Sequence, residues 1–275
     1  MTQLTDRITV LQSAFWATNS SIVSGPVGSL LIDPGVLPDE LERIADVATP
    51  VAAGFCTHAH WDHVLWHERF GTNVPRFAYS ETVINMRQNR DRIIRNITNS
   101  AELWGVDAAM NTDLLFQEQP LSDSSANIAG IATIVVPIPG HESGQAALVL
   151  PEDKVAFVAD TLSDIETPAF YEGSESVEDY LKTMDTLQLI IDRADWIVPG
   201  HGAPADRAEA QRRLDADRRY LEAIGPFVAA RAGESGEEIA RALLVELDDP
   251  RSEGLAWGMH LHNVNQLLAE QGNEA

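Results

Sequence analysis

Residues 57–63 read Thr-His-Ala-His-Trp-Asp-His, a stretch dense in side chains that ligate divalent metals. Imidazole nitrogens and carboxylate oxygens are the usual donors to zinc and related ions. Two histidines two positions apart on an extended or looped segment project the same way, so His58 and His60 can share one ion. Asp62 and His63 follow as the chain turns, in a pattern that suggests a short helix from Asp62 to Phe70, and there they can face a second ion. His-x-His-x-Asp-His at a strand end is far more specific than a lone His-x-His. Three further donors stand where apolar runs give out: His141 after VVPIPG, Asp160 at the end of KVAFVA, and His201 after WIVPG. Loops at the end of strands are where rigid scaffolds carry function. The bland alternative is a set of hydrogen-bonded polar residues at loop ends. The chemistry open to the full set is metal-assisted attack by water on an electrophile.

Donors placed this way need strands behind them. The short apolar runs ITVLQS and GSLLID read as strands, the second closing on the turn Asp33-Pro34-Gly35. A helix opens at Pro38, with Asp39 and Glu40 in its first turn and Leu41, Ile44 and Ala45 at helical spacing. VAAGFC is a buried strand delivering Thr57-His58. A polar helix is expected from Ser80 to about Ile97, carrying Arg87, Arg90, Arg92 and Arg95. Strands recur at TDLLF, ATIVVPI, AALVLP and KVAFVA. Val177, Tyr180, Leu181, Met184, Leu187, Ile190 and Ile191 lie on one helical face. DWIVP then runs into Gly200-His201-Gly202. Beyond Pro204 the pattern is helical almost throughout, with a last helix around Leu255–Ala269. No fixed-period repeat is present.

On these motifs the chain resembles the metallo-β-lactamase superfamily. His58-x-His60-x-Asp62-His63, Pro139-Gly140-His141, Asp160 and Gly200-His201-Gly202 match its ordered ligand set, and Leu31-Ile32-Asp33-Pro34-Gly35 resembles its N-terminal strand and turn. The resemblance implies an α/β fold, an αββα sandwich of two mixed β-sheets flanked by helices. It covers about residues 8–205, and the change to an all-helical pattern near residue 204 divides the chain into a catalytic domain over residues 1–205 and a helical C-terminal subdomain, 206–275, packed on it. His58, His60 and His141 would hold one metal, and His63, His201 and Asp62 the other, with Asp160 bridging. True β-lactamases of this fold tend to carry cysteine or serine at the bridging position. An aspartate there is shared with glyoxalase II, acyl-homoserine lactonases and ribonuclease Z. The family's usual Gly-Asp is Ala159-Asp160 here.

The implied activity is that of a dinuclear hydrolase with two Zn²⁺, Fe or Mn being the other divalent metals in play. Metal charge lowers the pKa of a bridging water to about 7, so that hydroxide can attack an ester, thioester or lactone carbonyl. Asp62 is placed to orient that nucleophile and take its proton. Two alternatives share the fold: a phosphodiesterase, and an iron-dependent sulfur oxidation like that of persulfide dioxygenases. Substrate-side candidates are Trp61, Tyr171 and His262, with Trp66, Phe15 and Trp16 as further aromatics near the motif. The arginines of 87–95 are either a solvated helix face or a flap toward an anionic substrate. In the flap reading Arg87 pairs with Arg90 and Arg92 with Arg95, three residues apart.

Composition narrows the partners. Among 275 residues, 42 acidic side chains against 19 basic ones give a net charge of −23. Such a surface repels phosphate backbones and anionic lipids, so the expected partner is a small molecule rather than nucleic acid or membrane. No run reaches the roughly 20 apolar residues of a membrane span, and the first residues lack the pattern of a signal peptide. A soluble, cytoplasmic protein is the expectation. Cys56 is the only cysteine, which excludes an intramolecular disulfide and reads as a buried thiol at a strand end.

Overall fold

Short runs of alternating apolar residues build two sheets that each bury one face against the other. The computed structural model describes every residue except 49, 105–111, 171–175, 232, 252–253 and 274–275. The first sheet takes its strands in chain order: β1 (Thr2–Thr5), β2 (Ile8–Gln12), β3 (Asn19–Gly25), β4 (Gly28–Ile32), β5 (Val51–Cys56), β6 (Arg76–Tyr79) and β7 (Gln119–Leu121). β1 to β4 form an antiparallel meander, and β5 to β7 continue it in parallel. Helix α1 (Pro38–Val47) makes the crossover to β5, and α2 (Ser80–Gln88) and α3 (Arg90–Trp104) make the one to β7. The second sheet contains β8 (Ser125–Ile128), β9 (Ile131–Pro137), β10 (Ala146–Leu150), β11 (Val155–Phe157), β12 (Trp196–Val198) and β13 (Ala205–Asp206), adjacent in that order. Its parallel pair, β11 with β12, is joined through α4 (Val177–Ile191). The helices α5 (Arg207–Ala229), α6 (Gly236–Leu247) and α7 (Gly254–Asn273) follow.

The period-2 alternation of strands sorts these residues into layers. Val23, Leu30, Ile32 and Phe55 of the first sheet meet Leu148, Leu150, Phe157 and Val198 of the second in one buried layer. Their neighbours Ile22 and Leu31 face outward onto Leu41 and Ile44 of α1. On the far side, Ala147, Ala156 and Ile197 pack under Tyr180, Met184 and Leu187 of α4. Leu214, Leu221, Ile239, Leu243 and Val264 of α5 to α7 belong to the same layer, so the helices after residue 205 share the second sheet's core. The architecture is the αββα sandwich of two mixed sheets that the sequence led us to expect.

Three local expectations are corrected. Residues 62–70 form irregular turns ending in a 3₁₀ turn, Glu68–Phe70, instead of a helix. Residues 61–66 are all buried, which no one-faced helix achieves. TDLLF is a 3₁₀ turn over Thr112–Leu114, with Leu114 and Leu115 both buried, rather than a strand. The single helix of residues 80–97 is two helices, broken at Asn89, whose side-chain amide donates to Asn85 O at 3.1 Å. An asparagine that bonds the preceding turn's carbonyl competes with helix continuation. Among the described residues no helix is long and apolar enough to cross a membrane.

Candidate metal centre

All seven sequence-derived donors converge at one edge of the sandwich, each on the loop that leaves a strand. β5 delivers His58, His60, Asp62 and His63; the loop after β9 delivers His141; that after β11 Asp160; that after β12 His201. They fall into two groups, His58, His60, His141 and Asp160 in one, Asp62, His63 and His201 in the other, with donor atoms in each group within 4.8 Å of one another. Asp160 faces both. Its Oδ2 lies 3.2 Å from His58 Nε2, 3.3 Å from His141 Nε2 and 3.4 Å from His201 Nε2, and its Oδ1 lies 3.3 Å from His63 Nε2. Asp62 Oδ2 stands 3.5 Å from His63 Nε2 and 3.4 Å from His201 Nε2. In the first group His141 Nε2 is 3.0 Å from His60 Nδ1.

The far side of three rings is engaged, which fixes their tautomers. His201 Nδ1 donates to the carbonyl of Trp16 at 3.0 Å, and His63 Nδ1 to Asp33 Oδ2 at 3.1 Å; neither acceptor carries a proton to give. Thr57 Oγ1 donates to Asp33 Oδ2 at 2.7 Å, so its lone pair is turned to His58 Nδ1, 3.1 Å away. In the neutral form of these rings each Nε2 is therefore the lone-pair nitrogen facing the centre, the usual arrangement of metal-binding histidines. His58 Nε2 and Asp160 Oδ1 are buried with no hydrogen-bond partner among the described residues. Buried polar atoms are rarely left so, and a divalent cation held by these residues would satisfy both. The set of imidazoles and carboxylates fits zinc, and fits iron or manganese as well.

Charge at the centre is mutually arranged. Burial alone would push His63 and His201 down, but the carboxylates around them outweigh it. Asp160, Asp62 and Asp33 hold His63 up at about 9, while Glu166, Asp160 and Asp62 raise His201 well above its ordinary value. Burial, with His58 and His141 close by, holds His60 well below its own. Burial would raise Asp160, yet His63, His58 and His201 hold it well below the usual carboxylate range.

The supporting loops are tied to one another. Gln145 accepts from Asp160 N at 3.2 Å and donates to Ile138 O at 3.2 Å, and Glu142 Oε2 accepts from Ala59 N at 2.7 Å. Asn19 donates to Pro199 O and Gly202 O, at 2.9 and 2.7 Å, and so fixes the His201 turn. Arg213 of α5 donates to Leu162 O and Ala203 O, linking the loops of Asp160 and His201. Gly200 is required where it stands, because a Cβ there would collide with Asp160 Oδ1. Ala159, where the resembling family has glycine, adopts a left-handed φ of 48°, a conformation glycine reaches without the cost an alanine carries.

A cavity of about 630 Å³ opens onto His60, Asp62, His141, Asp160 and His201. One wall is aromatic: Trp61 and the half-exposed Trp16, with Phe15 buried behind them at ring-centroid distances of 5.0 and 4.2 Å. The lining is polar along α2 and α3, where Asn85, Gln88, Asn89 at the break, Arg92 and Asn96 face it. Met259 of α7 also lines it.

Trp61 thus lies on the cavity. Trp66 does not, and stacks on Arg76 in the core. His262, expected near the pocket, is exposed and does not line it. The inward face of α7 carries His260, Asn263 and Val264, and His262 points about 200° round the helix from His260. His260 is a core residue between Tyr220 Oη and Ala240 O, both at 2.8 Å. Tyr171 lies outside the described residues. Of the arginines, Arg92 lines the cavity; Arg87 and Arg90, which the flap reading pairs, do not. The break at Asn89 puts them on different helices, and Arg90 lies over Phe116 at 5.0 Å. Cys56 is a buried thiol donating to His58 O at 2.8 Å. Sequence reasoning took Asp33 only as part of a turn and passed over Glu142, Gln145 and Glu166. The pairing of Ile32 with Phe55 sets Asp33 beside Thr57, a neighbourhood visible only once β4 and β5 are known to pair.

A family model described as the metallo-beta-lactamase superfamily matches residues 14–201. No curated protein sequence matches the chain at a significant level. Among solved structures, a metallo-beta-lactamase family protein from Thermus thermophilus superposes with a TM-score of 0.67 at 18% identity, covering 98% of this chain and 95% of that one. A metallo-beta-lactamase from Pontibacter korlensis gives a TM-score of 0.56 at 18% identity over 78% and 96%. The sec-alkylsulfatase Pisa1 from Pseudomonas sp. gives 0.70 at 15% identity, over 98% of this chain but 49% of its own. At these identities the likeness to solved structures speaks for the fold.

Proposed function

The chain belongs to the metallo-beta-lactamase superfamily, and on that premise we propose that it is a dinuclear zinc hydrolase acting on the carbonyl of an ester, thioester or lactone. The observation that carries this reading is the position of Asp160, a single buried carboxylate within 3.4 Å of donors from both groups, at the floor of an open cavity. His58, His60 and His141 would hold one cation, and His63, His201 and Asp62 the other, with Asp160 shared. When bound, the two cations supply Lewis acidity, lowering the pKa of a water to about 7 and polarising the substrate's carbonyl.

The chain's own residues do the rest. Asp62 stands at the cavity floor and accepts from Thr18 Oγ1 at 3.4 Å, which leaves it able to orient an attacking water and receive its proton. Trp16 and Trp61 offer an apolar wall for an acyl group, and desolvate the reacting bond as it settles against them. The amides of Asn85, Asn89 and Asn96 with Arg92 offer hydrogen bonds to a polar or anionic end of the substrate. The acidic surface favours a small-molecule substrate over nucleic acid.

The test is a panel of lactones, thioesters, esters, β-lactams, phosphodiesters and alkyl sulfates, offered to metal-loaded protein and to an Asp62→Asn variant. Carbonyl hydrolysis that falls at least about 100-fold in the variant is the expected result. Turnover confined to phosphodiesters or alkyl sulfates would move the assignment to those classes. A single iron with sulfur-oxidising activity would remove it from the hydrolases.

A further inference from the structure

Six residues after Asp160, Glu166 brings another carboxylate to the centre from a loop that none of the sequence motifs covers. The residue is 4% exposed, and its Oε1 has no hydrogen-bond partner among the described residues. His201 Nε2 lies 3.9 Å from that oxygen, and no lysine or arginine among the described residues pairs with it. The position is built rather than incidental. Arg251 Nη1 donates to Glu166 O at 2.6 Å while its guanidinium is held by Asp217 and Asp249, and Asn263 grips Pro168 O at 2.7 Å. Arg251 thus fixes the backbone of Glu166 and leaves the carboxylate to the centre.

A buried carboxylate with an unsatisfied oxygen costs several kcal/mol unless a cation or donors meet it. Two donors on one ion, each about 2.1 Å from it, stand at most about 4.2 Å apart, and the separation from His201 Nε2 falls inside that limit. We propose that Glu166 is a further carboxylate ligand of the cation held by His201, so that this ion is bound by more protein oxygen than the seven-residue set supplies. The inference rests on the dinuclear reading above and adds a residue to it. A second cation with more oxygen donors is also held less selectively for zinc over harder ions.

The experiment uses the full chain stripped of metal and titrated with Zn²⁺ against a chromophoric chelator, for wild type, His201→Ala, Glu166→Gln and Glu166→Asp. His201→Ala identifies which equivalent belongs to the second site. In Glu166→Gln that same equivalent is expected to weaken about 10- to 100-fold, the range for removing one supporting group at a metal site, while the other stays within about twofold. Unchanged binding of both equivalents overturns the proposal. If Glu166→Gln fails to fold by circular dichroism, Glu166→Asp decides, since it keeps the charge and withdraws it by one methylene: weakening of the second equivalent supports the proposal and wild-type binding overturns it. Wild type that binds no zinc at all would overturn the dinuclear reading together with this one, which sets that failure apart.

Discussion

Replacing Asp33 with asparagine tests how the rings are aimed. Asp33 is 3% exposed and accepts three hydrogen bonds, from Thr57 N at 2.8 Å on Oδ1 and from Thr57 Oγ1 at 2.7 Å and His63 Nδ1 at 3.1 Å on Oδ2. Its φ of 46° is left-handed, a conformation asparagine tolerates, so the backbone is not disturbed. The new amide has two ways to lie. With its oxygen toward Thr57 N, its NH₂ faces His63 Nδ1 and Thr57 Oγ1; His63 must then carry its proton on Nε2, the metal-facing nitrogen, and can no longer ligate. With its oxygen toward His63, the NH₂ confronts Thr57 N–H, and a buried donor left without an acceptor costs about 1–3 kcal/mol. In both, the negative charge behind His63 is gone. Outer partners of ligating histidines typically govern 10- to 100-fold in metal affinity, about 1.4–2.7 kcal/mol at 1.36 kcal/mol per tenfold. Competition with a chromophoric chelator and thermal melting of metal-free protein together read both routes. Asp33→Asn with zinc affinity within twofold of wild type and an unchanged melting midpoint would refute the reasoning.

Asp160→Ala should leave fewer than two ions bound and lower turnover by at least about 100-fold, since one carboxylate serves both donor groups; elemental analysis beside steady-state rates checks it. Arg92→Ala should raise KM about tenfold for an anionic substrate and leave a neutral analogue unchanged, whereas Arg87→Ala should alter neither; paired Michaelis curves decide. Gly140→Ala should lower unfolding stability by about 2–4 kcal/mol. Gly140 holds a φ of 138°, and a Cβ there would run into the Tyr180 ring. Chemical denaturation measures the loss, and an unchanged midpoint would count against the tight Gly140–Tyr180 contact.

The ligand set was legible because metal chemistry restricts side chains so sharply: imidazoles and carboxylates at strand ends have few other reasons to gather. β2, β4, β5 and β10 were equally plain, being apolar runs bounded by turn residues. β3 was not read, because Ser20 and Ser21 interrupt its apolar pattern although both are buried. Small hydroxyl residues fit a crowded strand without announcing it. The 61–66 stretch misled as a helix because its apolar residues are drawn inward on every side around the donors. Asp33, Gln145 and Glu166 could not be assigned from sequence for a different reason. Each acts through a neighbour far along the chain, Asp33 on His63, Gln145 on Asp160 and Glu166 on His201, and only strand register and loop packing bring them together. His262 failed on helix phase: the face of α7 that meets the core is set by His260, Asn263 and Val264.

Metal content of the purified protein addresses the central claim most directly. Mass-spectrometric elemental analysis, set against protein concentration from amino-acid analysis, should find two divalent cations per chain, zinc predominating, and an Asp160→Ala variant should fall short of two. One ion per chain in wild type that is unaffected by loss of Asp160, or iron alone without a second cation, would contradict the account.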